Sequence, residues 1–388
     1  MTEDVLSLVD EWGPEKVVCV SDRRSGMRGV LRLDNTARGM GKGGTRMSPT
    51  LTVREVARLA RTMAWKWAAV DLFHGGAKAG ILGDPRAADK EAVLRAFARA
   101  LRNEVPAEYA FGLDMGLTED DAAVLLDELG DRGAAVGLPR ALGGLPYDEL
   151  GVTGFGVAEA ADAAAAESGW QLAGSCVTVQ GFGAVGEAAA RRFAELGATV
   201  VAVSTAVGAV HDPDGLDVAR LSRLRADVGD DCVREYGGVQ PAGTALTAPT
   251  DVLVPAARED VVDDAVALAT TARLVVEGAN LPTTSSAREI LAKRGIPVVP
   301  DFIANAGGIV AAAHSMDMRR SPFRVDPDDV FPMISTKLRA NASAVLTEAK
   351  RTEDTPHAAA HRLAQQRVLA AMRLRRQLPP DTTLEPLP

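Results

Sequence analysis

Two periodicities run along the first third of the chain. Residues 16–20 and 29–33 read as short strands, whereas 52–69 carries apolar side chains at 53, 56, 59, 60, 63 and 67, the spacing of one helix face. Gly75, Gly76 and Gly80 then break the pattern. A second helix is predicted from Lys90 to about Asn103. A third begins at Thr118, where Thr-Glu-Asp-Asp offers a capping box before an apolar run, and Gly130 closes it. Over about 136–150 the composition shifts to Gly, Pro and Leu, which marks a hinge. Beyond it, apolar strands at 176–180, 199–203, 251–255, 273–277 and 297–299 alternate with Ala-rich helices such as 185–196. That alternation predicts a parallel doubly wound sheet. Residues 326–375 return to helix, and the last ten residues are too rich in proline to pack.

The 388 residues are 47% hydrophobic, with 43 Lys+Arg against 52 Asp+Glu, in a chain long enough for two core-bearing domains. No apolar run approaches the roughly 20 residues that cross a bilayer, and the acidic start lacks the basic and apolar regions of a signal peptide. A soluble cytoplasmic protein with no membrane partner is expected. A net charge of -9 and a pI near 5.2 argue against a broad nucleic-acid footprint, which needs clustered positive charge. Any anion site must therefore gather its cations locally. Cys19, Cys176 and Cys232 share no ligand spacing and the five histidines are dispersed, so neither a disulfide framework nor a metal site is expected. Cys176, in an apolar strand pattern, reads as an inert core thiol.

The strongest local motif is Gly181-Phe182-Gly183-Ala184-Val185-Gly186, between the strand VTVQ and the helix EAAARRFAELG. Gly181 permits the tight turn, Gly183 lets the backbone approach a pyrophosphate, and Gly186 lets helix and strand pack closely. The helix start, with Ala184 and Val185, offers unsatisfied N–H groups and a positive dipole to phosphate. The alternative is a purely structural turn. The second strand ends in Ser204 and Thr205, where an NAD site usually carries a carboxylate for the ribose. No Arg or Lys follows within several residues to attract a 2′-phosphate, so NAD and NADP both stay open.

Three lysines stand in unusual contexts: Lys42 in GMGKGGTR beside Gly43, Lys66 in MAWKWA, and Lys78 in HGGAKAG. Glycines let a backbone close on a ligand, and a desolvated lysine near other cations has a depressed pKa suited to acid–base work. The bland readings are a solvated helix edge for Lys66 and glycine-rich turns for Lys42 and Lys78. Asp114, in FGLDMG, is flanked by apolar residues and reads as a buried carboxylate or as a cap.

Over residues 25–320 the segments GKGGTRM, MAWKWAAVD, GGAKAGI, LDMG, QGFGAVG, VEGANLPTT and FIANAGGIV follow one another as in the glutamate/leucine/phenylalanine/valine dehydrogenase family, which the chain resembles. The resemblance implies an α/β protein of two domains: a substrate and oligomerisation domain over 1–140 and a doubly wound (Rossmann) NAD(P)-binding domain over 141–315. It also implies a C-terminal helical segment over 316–378 packing back between them, and a flexible tail over 379–388. The activity implied is oxidative deamination of an L-amino acid to a 2-oxo acid and ammonium, with NAD or NADP. Lys66 resembles the lysine that holds the substrate α-carboxylate, Lys78 the one that activates water, and Asp114 the proton shuttle. Thr153, Ala256, Asn280 and Asn305 resemble residues that meet the cofactor. A hexamer or octamer of identical chains is implied as well.

On substrate the motifs disagree. Lys42 resembles the residue that grips a side-chain carboxylate in glutamate-specific members, but Ala312 occupies the position where those members place a hydroxyl. A buried lysine without an anion would cost several kcal/mol or lose its proton, so glutamate ranks first and an apolar or aromatic L-amino acid second. Two readings from other classes are a catalytically silent cofactor-binding regulator and a hydroxy-acid dehydrogenase. The intact Lys66, Lys78 and Asp114 set argues against the regulator. The hydroxy-acid reaction needs a histidine paired with a carboxylate, and neither His74 nor His314 sits in such a pair.

Overall fold

The computed structural model describes residues 5–323, 326–379 and 382. Most of the expected tail over 379–388 lies outside the described residues. The chain divides into two compact units, one comprising Met1–Pro146, Ala312–Pro327 and Arg362–Pro388, the other Tyr147–Ala311 and Asp328–His361. The division after Pro146 falls within the Gly, Pro and Leu-rich stretch. The segment 316–378, read from sequence as one piece, is split: residues up to 327 and from 362 belong with the first unit, and 328–361 with the second.

In the first unit a six-stranded sheet is built from β1 (Lys16–Asp22), β2 (Met27–Asn35), β3 (Gly41–Lys42), β4 (Thr45–Ser48), β5 (Gly75–Leu82) and β6 (Tyr109–Ala110). Its order is β1-β2-β5-β3-β6, with β4 also on β5. The sequence expectation fails at β5. Gly75, Gly76 and Gly80 sit in a fully internal strand, and Gly76 and Gly80 are small because a helix lies on them. A methyl group at Gly76 would fall 2.4 Å from the backbone N of Ala64, and one at Gly80 would meet Leu51 and Val56 at 2.5 and 2.8 Å. Both contacts belong to the helix Val53–Ala69 or its lead-in, with Thr52 as N-cap. The other face of β5 presents Ala77, Ala79 and Ile81 to a core with Leu94, Phe97 and Phe111, all fully buried. The helix Lys90–Ala100 stops short of Asn103. The helix Glu119–Leu129 has the expected capping box, Thr118 with Asp121, and Gly130 ends it in the left-handed conformation at φ 64°.

The second unit carries β7 (Cys176–Gln180), β8 (Thr199–Thr205), β9 (Gly208–His211), β10 (Val252–Pro255), β11 (Leu274–Val276) and β12 (Val298–Val299). The order is β12-β11-β10-β7-β8-β9. Five strands are parallel as expected; β9, unrecognised in the sequence, turns back antiparallel on β8 to close one edge. The chain leaves β7 in one direction to β8 and returns on its other side at β10. That reversal is the topological switch point where open α/β sheets bind ligands. Cys176, the first residue of β7, is half-buried rather than a core thiol, and it is Cys232 that is buried.

Candidate functional site

Strand register gathers the cations of the first unit. Lys42 of β3 pairs with Gly76 and Arg46 of β4 pairs with Gly80, both parallel to β5. Side chains alternate along a strand, so Lys78 shares the face of Gly76 and Gly80. The helix Val53–Ala69 covers that face and adds Lys66 in its last turn. The tryptophans around Lys66 have structural duties: Trp67 Nε1 donates to the Lys42 carbonyl at 3.0 Å, and Trp65 packs edge-on against Trp12 at 5.0 Å.

Asp114 lies beyond β6 and is not a helix cap, a task that falls to Thr118. Its backbone comes close because position 44 is glycine; a methyl there would lie 2.5 Å from the Leu113 carbonyl oxygen and 2.8 Å from the Asp114 Cβ. The Asp114 carboxylate pairs with the Lys78 ammonium and accepts from Arg46 Nε at 3.2 Å. Arg46 in turn pairs with Glu55 at 2.6 Å. Burial pushes the Asp114 carboxyl up, but Lys78, the Met115 N–H and Arg46 more than offset it and hold it below its ordinary range. For Lys78, 6% exposed, burial pushes the pKa down; Asp114 opposes this incompletely, and Arg46 and Lys66 add to the depression.

Lys42 is more deeply enclosed, at 4% exposure. Its ammonium donates to the Ala110 carbonyl at 3.2 Å, and among the described residues no carboxylate is paired with it. Burial, followed by the charges of Lys78 and Arg319, lowers its pKa to about 7. The neighbouring Gly43 carbonyl accepts from the Tyr109 hydroxyl at 3.0 Å. His74 stacks edge-on against Trp67 at 4.9 Å, and burial and the charge of Lys42 lower its pKa. Ala312 stands half-buried on the helix Gly307–Met318, as does His314. Arg46 and Arg319 were missed as site residues in the sequence. Arg46 depends on β4, too short to recognise, and Arg319 on a chain return that no local pattern encodes.

In the second unit the three glycines differ in what surrounds them. Gly181 adopts φ +95°, a turn conformation that favours glycine. A methyl at Gly186 would fall 1.7 Å from the Gly181 carbonyl oxygen, so this glycine makes the close packing possible. At Gly183 a methyl would meet nothing within 4 Å, which leaves open space over the N-cap of the helix Ala184–Glu195. That space, beside the free N–H groups of the first turn containing Ala184 and Val185, fits a pyrophosphate.

Of the remaining predicted residues, Ser204, Thr205 and Ala256 lie at or just beyond strand ends. Ser204 Oγ accepts from the Gly181 N–H at 3.2 Å, and the Thr205 hydroxyl donates to the Asp230 carbonyl at 2.8 Å. Ala256 N–H donates to the Gln180 carbonyl at 2.7 Å. Thr153 lies in the first turn of the helix Val152–Glu167 and borders the Gly307–Gly308 pair, its hydroxyl 3.3 Å from where a Gly308 methyl would stand. Asn305 Nδ2 donates to Asn280 Oδ1 at 3.1 Å. Among the described residues no group of His, Cys, Asp or Glu is arranged to hold a metal ion, and no helix is long and apolar enough to cross a membrane.

Comparison with known proteins gives the same picture. The family model for Glutamate/Leucine/Phenylalanine/Valine dehydrogenase matches residues 143–376, and that for the Glu/Leu/Phe/Val dehydrogenase dimerisation domain matches 14–130. Glutamate dehydrogenase of Aeropyrum pernix is 33% identical over 361 residues, covering 88% of this chain and 85% of its own. Glutamate dehydrogenase A2 of Halobacterium salinarum is 37% identical over 290 residues, covering 72% and 69%. Among solved structures, the hetero-hexameric glutamate dehydrogenase from Thermus thermophilus in its Leu-bound form superposes with a TM-score of 0.78 at 31% identity, over 93% of this chain and 90% of that one. With two family models in series, a glycine turn at the switch point and a lysine–aspartate cluster on one sheet face, the chain belongs to the glutamate/leucine/phenylalanine/valine dehydrogenase family of NAD(P)-dependent amino acid dehydrogenases.

Proposed function

We propose that the chain catalyses the reversible oxidative deamination of L-glutamate: glutamate, NAD(P)⁺ and water give 2-oxoglutarate, ammonium, NAD(P)H and a proton. The observation that carries the choice of glutamate is Lys42, a buried ammonium with a carbonyl for a partner and further cations beside it. A side-chain carboxylate supplies the charge that this pocket lacks and restores the lysine to its protonated form. The relatives named glutamate dehydrogenase support the same choice.

Lys66 binds the α-carboxylate. Lys78, its pKa depressed, takes a proton from the water that adds to the imino carbon and then stabilises the oxyanion. Asp114, in contact with Lys78 and held ionised, carries protons between the substrate nitrogen and solvent. Bound nicotinamide supplies the hydride acceptor. Gly181, Gly183 and Gly186 with the following helix hold its pyrophosphate, and Thr153, Ala256, Asn280 and Asn305 orient its nicotinamide end. Ser204 and Thr205, offering hydroxyls in place of a carboxylate, accommodate either NAD or NADP. The enzyme works in the cytoplasm as a homo-oligomer of six or more chains, for which light scattering gives the mass directly.

Ala312, an alkyl side chain where a hydroxyl is expected, favours the second reading, an apolar or aromatic L-amino acid. Reduced-cofactor absorbance with a panel of L-amino acids, and in reverse with 2-oxo acids plus ammonium, tests both. Glutamate and 2-oxoglutarate should give the highest kcat/KM. A preference for leucine or phenylalanine would replace the first reading by the second, and silence with every substrate would overturn both.

A further inference from the structure

Beneath the Asn280–Asn305 pair lie two buried carboxylates to which the reaction assigns no task, Glu277 at 0% and Asp301 at 4% exposure. Glu277 Oε2 accepts from the backbone N–H of Asp301 at 2.9 Å. Asp301 Oδ2 accepts from the N–H of Leu281 at 2.9 Å, and its Oδ1 from that of Phe302 at 2.8 Å. The Asp301 carbonyl accepts from the Asn305 N–H at 2.8 Å. Asp301 therefore ties the loop that presents Asn280 to the turn that presents Asn305, and Glu277 holds Asp301 from behind. Leu281 sits at φ 49°, a conformation costly for a non-glycine residue, and its bond to Asp301 helps to maintain it.

Among the described residues neither carboxylate is ion-paired with a cation. The groups around them are the Thr283 hydroxyl, Arg288, and His357 and His361, whose rings lie 5.3 and 4.8 Å from that of Phe302. Burial lowers His357 to about 4 and also lowers His361, so both rings are neutral at pH 7. Two ionised carboxylates in so dry a place repel each other, and the cheaper state leaves one proton on the pair. Burial, then the charge of Asp301, raises Glu277 to about 7, which makes it the holder of that proton.

We propose that Glu277 and Asp301 are positioning residues that set the Asn280–Asn305 amide pair for the cofactor. The proposal rests on the reading of that pair as cofactor-binding. When Glu277 ionises, the repulsion is relieved by displacement of the Asp301 segment, and the amide pair loosens with it.

The test is the dissociation constant of NADH and NADPH, read by nicotinamide fluorescence between pH 6 and 9 without substrate. Wild-type affinity should fall several-fold as pH rises through 7. Glu277→Gln, neutral at every pH and able to accept from the Asp301 N–H, should keep the low-pH affinity across the range. Glu277→Ala should weaken binding about tenfold throughout, with folding checked by circular dichroism. A Gln variant with the wild-type pH profile, or a folded Ala variant with wild-type affinity, overturns the proposal. Asn305→Ala separates the two levels: unchanged affinity there removes the cofactor reading of the amide pair itself.

Discussion

Single side chains act through their partners. Lys78 pairs with Asp114 in the first unit, whereas the glycine turn belongs to the second, so Lys78→Ala should lower turnover by orders of magnitude while cofactor affinity stays within about twofold, with kcat and cofactor Kd as the two readouts. Lys42 carries a further expectation with a definite sign. Its folded pKa, about 7, lies below the ordinary lysine value of 10.5, so folding expels a proton between those limits. The charged form destabilises the fold, fully below pH 7 and not at all above 10.5. Lys42→Leu should therefore raise the melting temperature more at pH 6 than at pH 9. The same variant should raise KM for glutamate at least tenfold and improve apolar substrates; an unchanged preference would remove Lys42 from side-chain recognition. In the wild type, KM for glutamate should rise as pH increases above 7, because the unliganded pocket loses the cation that attracts the carboxylate.

At the scale of one element, the glycine turn separates packing from binding. Gly186→Ala puts a methyl 1.7 Å from a carbonyl oxygen and should cost several kcal/mol of stability, seen as a large drop in melting temperature. Gly183→Ala puts its methyl into open space, so melting should be nearly unchanged while cofactor affinity falls tenfold or more. Equal damage to stability in both variants would deny Gly183 its place at the ligand. The turn was legible because each glycine's duty follows from strand, turn and helix within eleven residues. Strand β5 was not: glycine weakens a strand intrinsically, and only the helix lying on Gly76 and Gly80 turns that weakness into a requirement. The two-residue strands β3 and β6 carry no period that a sequence can display.

For the whole molecule, two units with separate sheets locate the effect of a ligand. Saturation with cofactor at a hundred times its Kd should raise the unfolding free energy by about 2.7 kcal/mol. Hydrogen exchange should slow at residues 181–186 and 278–305, around the turn and the amide pair, and protection absent from both would place the cofactor elsewhere. The sequence by itself determined the helices with caps, the alternation that makes a parallel sheet, the glycine turn, and three lysines and an aspartate in contexts unlike ordinary surface. These are local properties, written within one or two turns of chain. Tertiary structure decided which of those charges meet. Lys42, Arg46 and Lys78 share a face because β3, β4 and β5 pair in one register; Asp114 joins them because Gly44 lets its loop close in; Arg319 reaches Lys42 only when the chain returns from residue 312. The depressed pKa values of Lys42 and Lys78 follow from that assembly. Desolvation and charge repulsion depend on what lies within a few ångströms in space, whatever the distance along the chain.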